Sequence, residues 1–137
     1  MSLQSAFIIQ QSSLASKLSK KVDGSLSVHG ISFTEYMILH HLSTSPLITM
    51  RRIELAECVC ISASGVTRLI APMEKIGLVE KESNPRDARQ SLVKLTKAGE
   101  RLYKDASVTV EHCADNALKA LNDVQLEKLS ALCQKLG

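Results

Sequence analysis

Apolar residues recur at helical spacing along most of this chain, and the gaps between the runs hold stop signals. Leu3, Phe7, Leu14, Leu18 and Val22 lie near heptad spacing and predict a first helix over 3–22, with Gly24 just beyond it. Ser32-x-x-Glu35 has the form of a capping box, with Thr34 as the alternative cap. It opens a second helix that carries Phe33, Tyr36, Met37, Ile38, Leu39 and Leu42 until Ser43-Thr44-Ser45-Pro46 stops it. Thr49 is placed to cap a short third helix bearing Ile53, Leu55 and Ala56 and ending around Cys58–Cys60. A fourth starts at Ser62, where Val66, Leu69, Ile70, Met73 and Ile76 form a stripe at 3.6-residue spacing, and Gly77 supplies a left-handed stop.

The period then changes. Residues 78–82 and 91–95 read as two short strands, joined by 83–90, a connection too long for a tight hairpin and rich in turn formers and arginine. Thr96 caps a long helix running to about Leu121, with Val110, Cys113, Ala117 and Leu121 near heptad spacing. After Asn122-Asp123 a last helix repeats the pattern with Leu126, Leu129, Cys133 and Leu136. The expected fold is mainly α with a small two-stranded β wing: a winged helix-turn-helix between an N-terminal and a C-terminal helix.

Composition narrows the function classes. At 137 residues the chain suits a single domain, and 45% hydrophobic with 23% charged residues is neither disordered nor membrane-like. No apolar run approaches the roughly 20 residues of a membrane span, and the N-terminus lacks a basic region followed by an apolar core, so a cytoplasmic protein is expected. The four cysteines, Cys58, Cys60, Cys113 and Cys133, include no C-x-x-C pair, and they read as buried or half-buried reduced thiols. His40 and His41 are adjacent, so on a helix they point about 100° apart and are poorly placed to share a metal; His112-Cys113 has the same defect. No metal and no cofactor is expected. No nucleophile–base arrangement, phosphate-cradling glycine loop or usefully spaced pair of carboxylates appears, which argues against an enzyme. With only two Phe, two Tyr and no Trp, a stacking platform for single strands is excluded too.

The net charge of +3 is unevenly placed: residues 49–104 hold 11 Lys/Arg against 7 Asp/Glu, and the ends are nearly neutral. The uneven charge favours a polyanion partner for the central segment without deciding it alone. The face of the fourth helix opposite its apolar stripe holds Ala63, Ser64, Thr67, Arg68 and Ala71, small or hydrogen-bonding residues rather than the Lys and Glu of a solvated face. Such a face enters a major groove about 12 Å wide without steric conflict. Ser62, Ser64 and Thr67 can bond phosphates or base edges, and Arg68 can reach a guanine edge or a phosphate. Ser62 serves equally well as a helix cap alone. Arg86 and Arg89 at the ribbon tip are placed for the adjacent minor groove, and Asp87 can hold a guanidinium or a turn amide there.

Taken in order, Leu55-Ala56-Glu57, Ile61-Ser62-x-Ser64-x-Val66-Thr67-Arg68-Leu69, Met73-Glu74-x-x-Gly77-Leu78-Val79, Asn84-Pro85-Arg86-Asp87-Ala88-Arg89 and Leu95-Thr96-x-x-Gly99 resemble the MarR family of bacterial transcription regulators. The resemblance covers residues 32–103 strongly and the flanking helices by arrangement. It implies a homodimer paired through helices in 1–31 and 104–137, with 32–103 as the DNA-binding lobe. It also implies a pseudo-palindromic duplex as partner, repression of transcription, and a small-molecule effector bound between lobe and dimer helices. Its DNA-contacting series maps onto Ser62, Ser64, Gly65, Thr67, Arg68, Arg86, Asp87 and Arg89. Three positions depart from the family pattern. Gly65 replaces a larger residue, Ala71 replaces a polar one, and Pro72 predicts a bend or an early end of the helix near 68–72. Two other readings stay open: a winged-helix protein-interaction module that binds no DNA, and a regulator that responds to oxidation of Cys58 or Cys60.

Overall fold

The computed structural model describes residues 1–87 and 91–137. Among the described residues there are six α-helices and one small sheet. In chain order these are α1 (Leu3–Leu26), α2 (Phe33–Thr44), β1 (Thr49–Arg51), α3 (Arg52–Val59), α4 (Ala63–Lys75), β2 (Val79–Ser83), β3 (Ser91–Leu95), α5 (Lys97–Ala117) and α6 (Asp123–Gln134). The sheet is antiparallel, with β3 in the middle. Val79 to Ser83 of β2 pair with Leu95 to Ser91, and Thr49, Met50 and Arg51 of β1 pair with Lys94, Val93 and Leu92. No described helix is long and apolar enough to cross a membrane.

The helix starts follow their caps. Ser32 Oγ accepts from the Glu35 amide while Glu35 Oε1 accepts from the Ser32 amide, so the expected capping box is made. Ser62, Thr96 and Asn122 cap α4, α5 and α6 by accepting the amides of Gly65, Gly99 and Gln125. Thr49 does not cap α3. It lies in β1, a third strand that makes the expected two-stranded wing part of a three-stranded sheet. Arg51 occupies the cap position, and the Glu54 carboxylate accepts both its amide (3.0 Å) and its Nε (3.1 Å). These bonds to Arg51 hold the Glu54 carboxyl below the usual carboxylate range. At the C-terminal ends, α1 runs past Gly24 to Leu26, and α5 stops at Ala117 rather than near Leu121. Gly77 takes the left-handed conformation at φ 78°, as its position predicts, while Cys60 at φ 56° and Leu47 and Ile48 at φ 56° and 50° do so without a glycine.

The core sits in the winged lobe. Ile38, Leu39 and Leu42 of α2, Leu55 of α3, Val66, Ile70 and Met73 of α4, and Val93 and Leu95 of β3 are all buried. Thr96 and Gly99 explain the tight join between sheet and α5. Thr96 Oγ1 donates to the Leu78 carbonyl and accepts the Gly99 amide at 3.0 Å. A side chain at position 99 would collide with that carbonyl and with Leu95, so the first turn of α5 needs glycine there. Further along, three side-chain bonds tie α5 to the preceding segment: Tyr36 Oη to Ser107 Oγ (2.9 Å), His40 Nδ1 to Tyr103 Oη (2.6 Å) and His29 Nε2 to Thr109 Oγ1 (2.7 Å).

Candidate nucleic-acid interface

The apolar stripe of α4 buries Val66, Ile70 and Met73 and half-buries Leu69. This orientation leaves Ser62, Ala63, Ser64, Thr67, Arg68 and Ala71 exposed on the opposite face, as the spacing predicts. Ile76 departs from the prediction. It lies one residue past the helix, 65% exposed, because the backbone has already left helical geometry there. The predicted early end near Pro72 does not occur either, since α4 is continuous from Ala63 to Lys75. Pro72 and Arg68 lie on the exposed side of the helix, and buried Ile70 and Met73 anchor the turn from below.

The hydroxyls at the start of α4 are partly engaged within the chain. Ser62 Oγ accepts the Gly65 amide at 3.0 Å and shares a bond with Ser64 Oγ at 3.1 Å. Thr67 Oγ1 donates to the Ala63 carbonyl at 3.2 Å, which leaves its lone pairs and methyl outward. Gly65 is half-buried beneath this cap. A Cβ there would stand 3.2 Å from Ser62 Oγ and 3.5 Å from Ile61, so a larger residue would push the capping hydroxyl. That packing reason could not be read from the sequence.

At the wing, Arg86 is exposed and its amide donates to Asn84 Oδ1 at 2.9 Å. The Asp87 amide donates to the Asn84 carbonyl at 3.3 Å. Asn84 therefore shapes the turn that presents Arg86, in keeping with the turn formers of 83–90 and with Asn-Pro as a turn opener. Arg89, the other predicted wing contact, lies outside the described residues. Among the described residues the ion pair that forms is Arg51 with Glu54, and neither Arg68 nor Arg86 is part of it. Three of the cysteines depart from expectation: Cys58, Cys60 and Cys133 are exposed, because α3 ends on the outer surface and α6 buries none of its residues, while Cys113 is half-buried as expected; all four are free thiols.

Helix, turn, helix and wing thus stand in the order the motifs predict, with one exposed face of small, hydroxyl and cationic side chains. A MarR family model matches residues 31–91. The HTH-type transcriptional regulator BilQ of Clostridium symbiosum is 26% identical over 112 residues, 82% of this chain and 76% of BilQ. The crystal structure of Sco3205, a MarR family transcriptional regulator from Streptomyces coelicolor in complex with DNA, superposes with a TM-score of 0.88 at 23% identity, over 99% of this chain and 87% of that one. CouR from Rhodococcus jostii, bound to p-coumaroyl-CoA, gives 0.86 at 18% identity, over 99% and 94%. The MarR family model thus lies on the winged lobe, and nearly the whole chain carries the fold of MarR family structures.

Proposed function

We propose that this chain is a sequence-specific, duplex-DNA-binding transcriptional regulator, a cytoplasmic homodimer that represses until a small-molecule effector releases it. The observation that carries the reading is the exposed face of α4, where Ser64, Thr67 and Arg68 stand clear of the core beside a wing that presents Arg86. In this reading Ser64, Thr67 and Arg68 reach base edges and phosphates of the major groove. Ser62 divides its hydroxyl between the cap and the backbone, and Gly65 allows close approach. Arg86 and Arg89 enter the adjacent minor groove, with Asp87 bracing the tip. The activity is one of binding, with no catalytic group assigned.

Dimerisation finds support in the terminal helices. Ile8 and Ile9 of α1 and Leu132 of α6 expose 58–69% of their surface, an apolar area that a second copy would cover. The DNA in the Sco3205 structure and the ligand in that of CouR support the two sides of the switch. An effector acts only by binding the DNA-competent and incompetent forms unequally. Fluorescence anisotropy with duplex from upstream of the chain's own gene, beside a scrambled duplex, tests the reading. A preference of about 10³ or more for the native duplex is expected. Binding to neither, even at low salt, would overturn it in favour of a protein-interaction module.

A further inference from the structure

A cleft of about 450 Å³ opens between the recognition face of α4 and the wing. Thr67, Ala71 and Lys75 of α4 form one wall, Arg52 at the start of α3 and Lys81 of β2 the other, and Glu74 lies at its side. Arg52 is half-buried, and its Nε donates to Ser91 Oγ at 3.2 Å, which sets the guanidinium across the gap between α3 and the foot of β3. Its Nη1 is shut off from solvent and has no hydrogen-bond partner. A buried cationic donor left in that state is rare and costly. Glu74 does not relieve it. Its Oε2 is likewise buried without a partner, and the pair is not among the ion pairs of the described residues. Lys75 and Lys81 are exposed at the rim. The cleft therefore offers three cations, one of them an oriented fork with an unmade bond, against one carboxylate.

We infer that this cleft seats a phosphodiester of the DNA backbone, on the strand that separates the groove entered by α4 from the groove reached by the wing. The inference rests on the DNA-binding reading above. Thr67 and Ala71 belong both to the exposed face of α4 and to the cleft wall, so a duplex lying on that face passes over the mouth of the cleft. The Arg52 guanidinium then turns from the cleft wall toward a phosphate oxygen and donates to it, a charge-assisted bond that ends the unpartnered burial of Nη1. Lys75 and Lys81 add charge without direction. Glu74 opposes the anion, so the seat suits a singly charged phosphodiester held from both sides better than a free phosphate dianion.

The test is a salt series of anisotropy titrations with the full chain, on the native and the scrambled duplex. Arg52→Gln weakens both duplexes by a similar factor, about tenfold, because a backbone contact carries no sequence information. The slope of log K against log salt becomes shallower by about 0.9 for each seat lost, and by twice that for a two-fold dimer. Lys81→Gln, on an exposed strand, shifts the slope in the same direction without the risk of misfolding. Arg52→Lys recovers part of the slope, and Glu74→Gln tightens binding to both duplexes. Wild-type slopes in Arg52→Gln and Lys81→Gln would overturn the seat, as would lost affinity with an unchanged slope, the mark of a merely structural role. Inorganic phosphate is added at constant ionic strength as a separate arm. Phosphate that stabilises the wild type against heat but not Arg52→Gln would overturn the backbone as the source. A wild type that binds neither duplex sinks the DNA-binding reading itself, so the two failures are told apart.

Discussion

The winged lobe and the terminal helices are made of the same aliphatic residues and use them in opposite ways. Within the lobe, Ile38, Leu39, Leu42, Leu55, Ile70 and Met73 keep 1% or less of their surface exposed. In α1, 24 residues long, Leu26 alone is buried, and α6 buries none of its 12. Both regions show apolar residues at helical spacing, so periodicity marks a face without saying what covers it. Burial inside one chain and burial against a second copy leave the same trace in a sequence.

That contrast can be broken from either side. Leu39→Ala removes packing from the centre of the lobe and should cost about 2–5 kcal/mol in urea denaturation, whereas Leu132→Ala on α6 should leave the lobe's transition within about 0.5 kcal/mol. A loss below about 1 kcal/mol at Leu39 would show that the lobe's core is looser than its burial implies. The opposite change targets the flank. Leu129→Asp with Leu132→Asp should halve the mass found by sedimentation and weaken operator binding by about a hundredfold, since each half-site contact loses its tethered partner. An unchanged mass would mean that the exposed face of α6 is not what joins two copies.

How much of this was legible follows the same division. The caps at Ser32, Ser62 and Thr96, the stripe of α4 and the strand over 91–95 were readable because each depends on residues within a few positions of one another. The third strand was not. Thr49–Arg51 is too short to show a period, and it is a strand because β3 lies beside it. The early end expected at Pro72 fails for a related reason: propensity prices the lost amide bond, while buried Ile70 and Met73 decide whether the helix continues. In the site, the exposed residues of α4 were named in advance. Asn84 shows in the sequence as a turn former, though its bonds to the Arg86 and Asp87 amides do not, and Arg52 does not show because its cleft is assembled from distant segments.

A smaller effect separates two neighbours on the recognition helix. Ser62 Oγ accepts the Gly65 amide, whereas among the described residues Ser64 Oγ bonds Ser62 Oγ and no backbone amide, so the first is a cap and the second is not. Ser62→Ala should lower stability by about 1 kcal/mol, and Ser64→Ala by less than about 0.5 kcal/mol while still weakening DNA binding. Equal losses of stability would show that the hydroxyl pair caps the helix together.

The smallest expected effect lies at the joint between lobe and flank. His41 on α2 neighbours His40, which bonds Tyr103 of α5, and partial burial, helped by the His40 charge, holds the His41 imidazole below its ordinary value of 6.5. The folded chain therefore takes up this proton less readily than the unfolded chain. Between the two values the unfolded state binds more protons, so this contribution to stability is complete above pH 6.5 and falls away as the pH drops below it. Glu54, whose carboxyl is also held down, adds a loss of the same sign at more acid pH, below its ordinary 4.5. The two windows separate the two groups. Urea midpoints taken at several pH values from 7.5 down to 5 should fall more for the wild type than for His41→Gln. Parallel curves throughout would show that the joint between the two regions does not sense protons through His41.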